Sequence, residues 1–336
     1  MPTDNRKRPF HRPRKKGVRT TRPGQHLPVM LAECLAALDP QPGHVVVDCT
    51  LGFAGHSVEL LKRVGPAGKL IAFDLDPGNL PPARTLLDAV GHPFHLHAGN
   101  FAGLATVLAA EGVAAADGVL ADLGMSSMQV DDRGRGFSFM RDGPLDMRMD
   151  PTRGPTAADL LNTLPPADLA AAFRDLADEP MADAIADAIV VRRRTEPFAR
   201  TLDLRAVVDQ AARVTVARGP GLFPARKQRL LPVTRVFQAL RILVNRELAN
   251  LAHLLRTVPY LLAPGGTVAA LSFHSGEDRL VKAAFRDGLR TGTYSETSGD
   301  AARPTAAEKE ANPRSRSAKL RWARVPGTGE RGALAP

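Results

Sequence analysis

From Gly43 onward the chain alternates short apolar runs with amphipathic stretches, a pattern that predicts strands followed by helices. HVVVDCT is a continuous β-branched run of the kind carried by a strand buried on both faces. A glycine-containing turn follows, then SVELLKRVG, a helix closed by Gly65. KLIAFDLD predicts a second strand, and GNLPPARTLLDAV a second helix that Pro81 and Pro82 restrict to a late start. FHLH, FAGLATVLAAEG and DGVLADLG continue as strand, helix and strand. This spacing predicts a parallel sheet with right-handed crossovers. Upstream, HLPVMLAECLAAL predicts a short helix with Val29, Leu31, Cys34, Leu35 and Leu38 on or near one face.

The alternation then stops. MSSMQVDDRGRGFSFMRDGPLDMRMDPTRG is long, polar and dense in Gly, Asp and Arg, and structureless loops of that length are usually functional or disordered. TAADLLNTL, PADLAAAFRDLA, PMADAIADAIVVRRR and LDLRAVVDQAARVTV are helical patterns with no strand signal between them, so residues 140–233 are expected to form a helical insertion. One long helix, VTRVFQALRILVNRELANLAHLLRTVPYLL, leads back to LAPGGTVAALSFHS, a tight turn and a buried strand that resume the sheet. A helix from about Asp278 to Leu289 precedes a polar stretch expected to be poorly ordered, and SAKLRWARV predicts a last strand at the antiparallel end. The expected organisation is a disordered basic tail over residues 1–24, a sheet domain built from 25–139 and 234–336, and the insertion between them. No internal repeat is present.

A chain of 336 residues, 44% hydrophobic, can bury a full α/β core and a smaller second module. No apolar run approaches the roughly 18 residues that cross a bilayer, and the first residues lack the apolar stretch of a secretory signal. The cytoplasm is the expected compartment. Cys34 and Cys49 lie in no CxxC pattern, so neither a disulfide framework nor a zinc site is expected. His95 and His97 share a strand face with no third ligand nearby in sequence, which favours a packed or surface role over metal.

The net charge of +10 is uneven. Residues 1–22 carry +8 and residues 192–256 another +10, so the remainder is acidic at −8. An acidic protein with two basic segments is expected to set them against a polyanion, with nucleic acid favoured over a merely solvated surface.

Open parallel sheets bind ligands beyond the carboxyl ends of their strands, where strand order reverses. Asp48-Cys-Thr-Leu-Gly52-Phe-Ala-Gly55-His56 falls there, between the first strand and the first helix. Gly52 and Gly55 allow close backbone approach, and the helix start offers free N–H donors. Asp74 ends the second strand, where a carboxylate can accept both ribose hydroxyl protons. The Gly52-x-x-Gly55 spacing lacks the third glycine of a dinucleotide site, and LAPGG before a late strand is similar to the corresponding turn of Rossmann-like methyltransferases. Asp122 ends the fourth strand, either beside the reacting atoms or as a helix N-cap. His56 either caps the first helix or touches the cofactor.

VDCTLGFAGHS, DLGMSSMQVDDRGRGFSFMRDGPLDMRMD, FQALRILVNRELANL, SFHSGEDRLVK and NPRSRSAKLR together resemble the bacterial small-subunit ribosomal RNA cytosine-N4 methyltransferase family. The likeness runs from His26 to Val325, and GFSFMRDGPLDMRMD is its most specific part. It implies an α/β, Rossmann-like class I methyltransferase sheet with an inserted all-helical domain for RNA recognition. It implies S-adenosylmethionine as cofactor, and as acceptor the exocyclic amine of a cytidine in the decoding region, on small-subunit ribosomal RNA or the assembled subunit. The family's cofactor contacts fall on Ala54, Gly55, His56, Asp74, Phe101, Asp122 and Gln129. Phe101 either stacks on adenine or belongs to the core. Two positions depart from the family: Ala54 stands where glycine is common, so its backbone contact requires a negative φ, and Gly276 replaces an aliphatic residue, which is expected to loosen the last helix start.

The cytosine amine is a weak nucleophile because its lone pair is delocalised, so acceptors placed against its N–H protons help. The Asn/Asp-Pro-Pro-aromatic box of many DNA amino-methyltransferases is absent; Asp122-Leu-Gly-Met stands there. Asp122, Asp146 and His274 are the candidate acceptors, although Asp146 could equally pair with Arg141 or Arg148. No metal is expected. Phe137 and Phe139 either stack on a splayed base or are core. Arg133, Arg135, Arg141 and Arg148 are candidate phosphate or base contacts, extended by Arg192, Arg193, Arg194, Arg226 and Arg229.

Overall fold

The computed structural model describes residues 27–218 and 231–328. Arg226 and Arg229 lie outside these residues, as does the basic tail through His26.

The sheet begins with α1 (Leu31–Leu38), β1 (Val45–Asp48), α2 (Gly55–Val64), β2 (Lys69–Asp74), α3 (Leu80–Asp88), β3 (Phe94–Ala98), α4 (Leu104–Ala110) and β4 (Ala116–Asp122). A short α5 (Ser127–Asp131) opens the long polar segment. Four helices follow: α6 (Ala157–Thr163), α7 (Pro166–Ala177), α8 (Ala182–Arg193) and α9 (Thr201–Arg218). The chain returns through α10 (Leu231–Asn245) and α11 (Glu247–Thr257) to β5 (Leu262–Ser272), α12 (Ser275–Thr291), β6 (Glu296–Thr297), α13 (Ala306–Ala311) and β7 (Lys319–Arg324).

The strands form one sheet in the order β3-β2-β1-β4-β5-β7-β6. The first five are parallel, and β7 runs antiparallel to both β5 and β6. Side chains alternate between the two faces, as strand geometry requires. Val47, Ile71, Val119 and Val268 pack beneath α4, α11 and α12, whereas Val46, Leu70, Leu120 and Ala269 pack beneath α1, α2 and α3. The strand order reverses between β2-β1 and β1-β4, and Asp48, Asp74 and Asp122 end these three strands. The fold is therefore α/β, with the crevice for a ligand where the sequence places it.

The helices from α6 to α10 share a separate core that includes Phe173, Ile185, Leu204 and Val236. Phe137, Leu145, Met147 and Met149 of the polar segment are buried in the same core, so this packing extends beyond residues 140–233 on both sides. Glycine explains how the segment compacts. A Cβ on Gly136 would collide with the carbonyl oxygen of Pro144, and one on Gly143 with that of Arg133.

Four local expectations change. The long return helix is broken at Arg246, which takes a left-handed conformation (φ 52°). Asn245 fixes the break: its side chain donates to Met147 O and Arg241 O, both at 2.8 Å, and accepts from Met149 N at 2.7 Å. Pro81 and Pro82 do not delay α3, because they occupy its first turn, where a missing N–H costs nothing. The stretch after α12 is ordered: α13 is N-capped by Thr305, and Glu308 accepts Met30 N at 2.7 Å. Finally, β6 adds a two-residue strand too short to leave a periodic signal. Among the described residues no helix is long and apolar enough to cross a membrane.

Candidate active site

A cleft of about 480 Å³ opens over the carboxyl ends of β1, β2, β4 and β5. Gly52, Gly55, His56, Asp74, Phe101, Asp122 and Gln129 all line it, so residues up to 77 positions apart in sequence are gathered in one crevice. Its volume suits a nucleoside-sized ligand.

Asp74 organises one wall. Its Oδ2 accepts Gly52 N at 2.8 Å and Asn79 Nδ2 at 3.0 Å, and its Oδ1 accepts Asp76 N at 2.8 Å. Burial nevertheless pushes its pKa up to about 6, against the lowering effect of these donors. The glycine turn and the carboxylate thus hold each other in place. Ala54 begins α2 with φ 59°, contrary to the negative φ its predicted backbone contact required, and its buried methyl does not reach the cleft. No side chain caps α2, so its first N–H groups are left for a ligand.

Asp122 stands at the centre. Its backbone N–H donates to Thr50 Oγ1 at 2.7 Å, and Thr50 N in turn donates to Asp48 Oδ1 at 3.0 Å. His56 Nδ1 lies 3.5 Å from Asp122 Oδ2, with His56 Nε2 held 2.9 Å from Val29 O. The other carboxylate oxygen, Oδ1, is shielded and makes no hydrogen bond. Burial pushes the Asp122 carboxyl up to about 6; His56 opposes this, and Asp48 and Glu277 add to it.

Gln129 closes the far wall. It completes a capping box with Ser126 and donates from Nε2 to Asp76 Oδ2 at 3.1 Å. Arg135 joins the same carboxylate at 2.7 Å and also donates to Arg148 O and Met149 O, at 2.9 and 2.8 Å. Its Nη1 and Nη2 are engaged inside the protein and its Nε is buried, which corrects its expected role as a phosphate contact.

The remaining acceptor-side residues separate into packed and exposed ones. Phe137 is only 6% exposed and belongs to the core, and the half-buried Phe139 packs edge-on against Phe237 with ring centroids 5.4 Å apart, so both rings are engaged in packing. Asp146 is bound by Arg148 through Nε and Nη2, each at 2.8 Å; although its partial burial works in the opposite direction, these bonds hold its carboxyl below the usual range. Neither residue lines the cleft, so the Asp146 acceptor role is corrected to a structural ion pair. Arg141 donates to Asp131 O at 3.0 Å, and Arg193 to Leu161 O and Leu164 O at 2.6 and 2.8 Å. Arg192 is paired with Glu196, whereas Arg133 and Arg194 are exposed.

His274 is also corrected. It caps α12, its Nδ1 accepting Glu277 N at 3.4 Å, and it does not line the cleft. Gly276 explains itself here: a Cβ would lie 3.2 Å from the His274 ring and 3.4 Å from Leu248 Cδ1. The helix start is a complete capping box and is not loosened.

Sequence reasoning missed Arg241, Asn245, Glu247 and Glu277, all of which line the cleft. Arg241 grips Glu247 through Nε and Nη2 at 2.9 and 2.8 Å. Its charge is retained because the attraction of Glu247 and Glu277 outweighs its burial. The two are six residues apart, a spacing that a continuous helix would not bring face to face, so no periodic signal could reveal them.

Comparison with known proteins gives the same picture. The chain is 41% identical to ribosomal RNA small subunit methyltransferase H of Desulfosudis oleivorans, covering 89% of this chain and 98% of that one. It is 43% identical to the protein of that name from Syntrophobacter fumaroxidans (88% and 95% covered) and 44% identical to that from Leptothrix cholodnii (90% and 93% covered). The family model described as the MraW methylase family matches residues 24–325. With most of its length matched by that model and by these relatives, the chain belongs to the MraW methylase family.

Proposed function

We propose that this protein methylates the exocyclic N4 amine of a cytidine in small-subunit ribosomal RNA, using S-adenosylmethionine. The observation that carries the reading is the shared cleft: the Gly52–Asp74 clasp and the Asp122 carboxylate line the same space. The chain's relatives bear the name of a small-subunit ribosomal RNA methyltransferase.

The residues present fit the cofactor. Asp74 would hold the ribose hydroxyls, the uncapped start of α2 and the Gly52–Gly55 turn would take backbone contacts, and Phe101 and Gln129 would border the base. When bound, the cofactor supplies an electrophilic methyl group on a sulfonium. The Asp122 carboxylate accepts a hydrogen bond from the cytosine amine, drawing the nitrogen toward a tetrahedral, more nucleophilic form. His56, 3.5 Å from Oδ2, sets the direction of the carboxylate. Rate then depends mainly on alignment of the amine with the methyl group.

Residues 140–233, with the helices packed around them, form the body that recognises RNA in this reading. Arg133 and Arg194 are among the exposed cations of the described residues there, and Met125 and Met128 are exposed near the cleft. The substrate is the assembled small subunit or its RNA, in the cytoplasm. The decisive test is nucleoside mass spectrometry of ribosomal RNA from cells with and without the gene; unchanged N4-methylcytidine would overturn the assignment.

Two expected results follow from the site. Asp74→Ala removes a charged acceptor together with the anchor of the Gly52 turn, so the cofactor Kd measured by calorimetry should rise about tenfold or more. An unchanged Kd would remove Asp74 from the site. If exposed cations meet phosphates, RNA affinity should fall about tenfold or more between low and physiological salt, as counterion release requires. A flat dependence in a filter-binding assay would contradict the basic surface's role.

A further inference from the structure

The edge strand β3 carries a second cluster of chemistry-bearing groups, none of which lines the cleft. His95 and His97 alternate onto one face, opposite Ile71 and Phe73 of β2. Glu111, the residue that closes α4, reaches over this face and supplies the third group that the sequence did not show. Its Oε2 lies 2.6 Å from His95 Nδ1, and its Oε1 3.3 Å from His97 Nε2. One ligand atom from each of the three can be chosen so that all lie within 4.8 Å of one another.

We propose that His95, His97 and Glu111 form a binding site for a divalent transition cation, with zinc as its type. Two imidazoles and a carboxylate are the donor set such ions take, leaving a fourth position for water. The side chains are 45%, 27% and 15% exposed, so an ion has access without the site being a loose surface feature. His97 Nε2 is shielded from solvent and makes no hydrogen bond, despite the nearby carboxylate. That leaves a lone pair turned toward the cluster in one tautomer. The Phe73 ring, 5.5 Å from the His97 ring, fixes the imidazole's direction. Lys69 Nζ, 3.8 Å from Glu111 Oε2, is a cation already beside the site and would compete with a metal for the carboxylate. A bound ion would tie β3 to the end of α4.

A second three-residue group, Glu247, His274 and Glu277, is a weaker candidate. Arg241 already neutralises Glu247, and His274 is committed to capping α12.

Equilibrium dialysis of the full chain against zinc chloride, with bound metal counted by mass spectrometry, tests the site. Wild type should hold about one zinc at micromolar concentrations, and magnesium should not compete. His95→Ala and Glu111→Gln should each weaken zinc binding by about tenfold or more. Lys69→Ala should strengthen it, which a plain ion pair would not predict. Zinc should also raise the unfolding temperature of wild type and not of the two ligand variants. Equal zinc binding by wild type and His95→Ala, or none by wild type, would overturn the proposal.

Discussion

Asp122→Asn is expected to remove most methyl transfer, lowering turnover by about 10²- to 10⁴-fold, the range of a lost acid–base partner. The substitution keeps the shape of the side chain and its contact distance to His56, but makes one of its ends a donor. If the Asp122 carboxylate receives the amine proton's hydrogen bond, an amide there presents the wrong polarity or a weaker acceptor. Cofactor affinity should drop by less than about tenfold, the size of one ordinary hydrogen bond. Single-turnover methylation of a small-subunit RNA substrate, beside calorimetry of the cofactor, separates the two effects. Near-normal turnover would exclude Asp122 from the mechanism.

The same carboxyl predicts two opposed pH effects. Burial raises its pKa from 3.8 to about 6, so the acceptor form is lost as pH falls through 6, and turnover should fall with it. Asp122→Asn should lose that limb. For stability the sign reverses. A group whose folded pKa is raised contributes stability that is fully present below 3.8 and lost as pH rises through about 6. At pH 7.5 the ionised carboxylate, with its side chain 25% exposed, therefore costs the fold on the order of 1–3 kcal/mol. The inactive asparagine variant should unfold at the same or a higher temperature than wild type at that pH. Stability given up for a charged acceptor is what separates a reaction-site carboxylate from a structural one.

Much of this was legible in the chain because strands buried on both faces carry unbroken apolar runs. KLIAFDLD and DGVLADLG carry the aspartates that line the cleft, and the aspartate of HVVVDCT is buried beneath it, holding Thr50 and Ser57, so the site is placed by the strand ends. The polar segment was harder to read. Arg135 looks like a phosphate contact in sequence, yet it lies under the cleft between Asp76 and two carbonyls. Phe137 and Phe139 look equally suited to a base or a core, and only the packing of α10 decides. Local pattern reports which face is apolar; it does not report which distant element covers that face. Glu111 shows the same limit, since it lies 16 residues beyond His95 and meets it only because α4 folds back along β3.

Arg241→Met should be the most destabilising of the single changes in the cleft, by about 3–5 kcal/mol, because it strands the carboxylate of Glu247 beside that of Glu277. The Arg241 and Glu247 side chains are only 9% and 12% exposed, so water cannot readily replace the lost partner. In thermal unfolding the change should read as a drop of roughly 10 °C. A loss below about 1 kcal/mol would mean that the pair is solvated like a surface bridge. The double variant Arg241→Met, Glu247→Leu then decides what the pair is for. Replacing both charges with apolar groups is often neutral, so it should recover most of the lost stability. If the double variant is stable yet fails to methylate RNA, the pair is kept for the chemistry of the cleft. If it is stable and active, the pair serves only to hold α10 and α11 across the break at Arg246. The first outcome is expected, because a fold needing only that junction could have filled it with apolar side chains, without two charges facing the same cleft as Asp122.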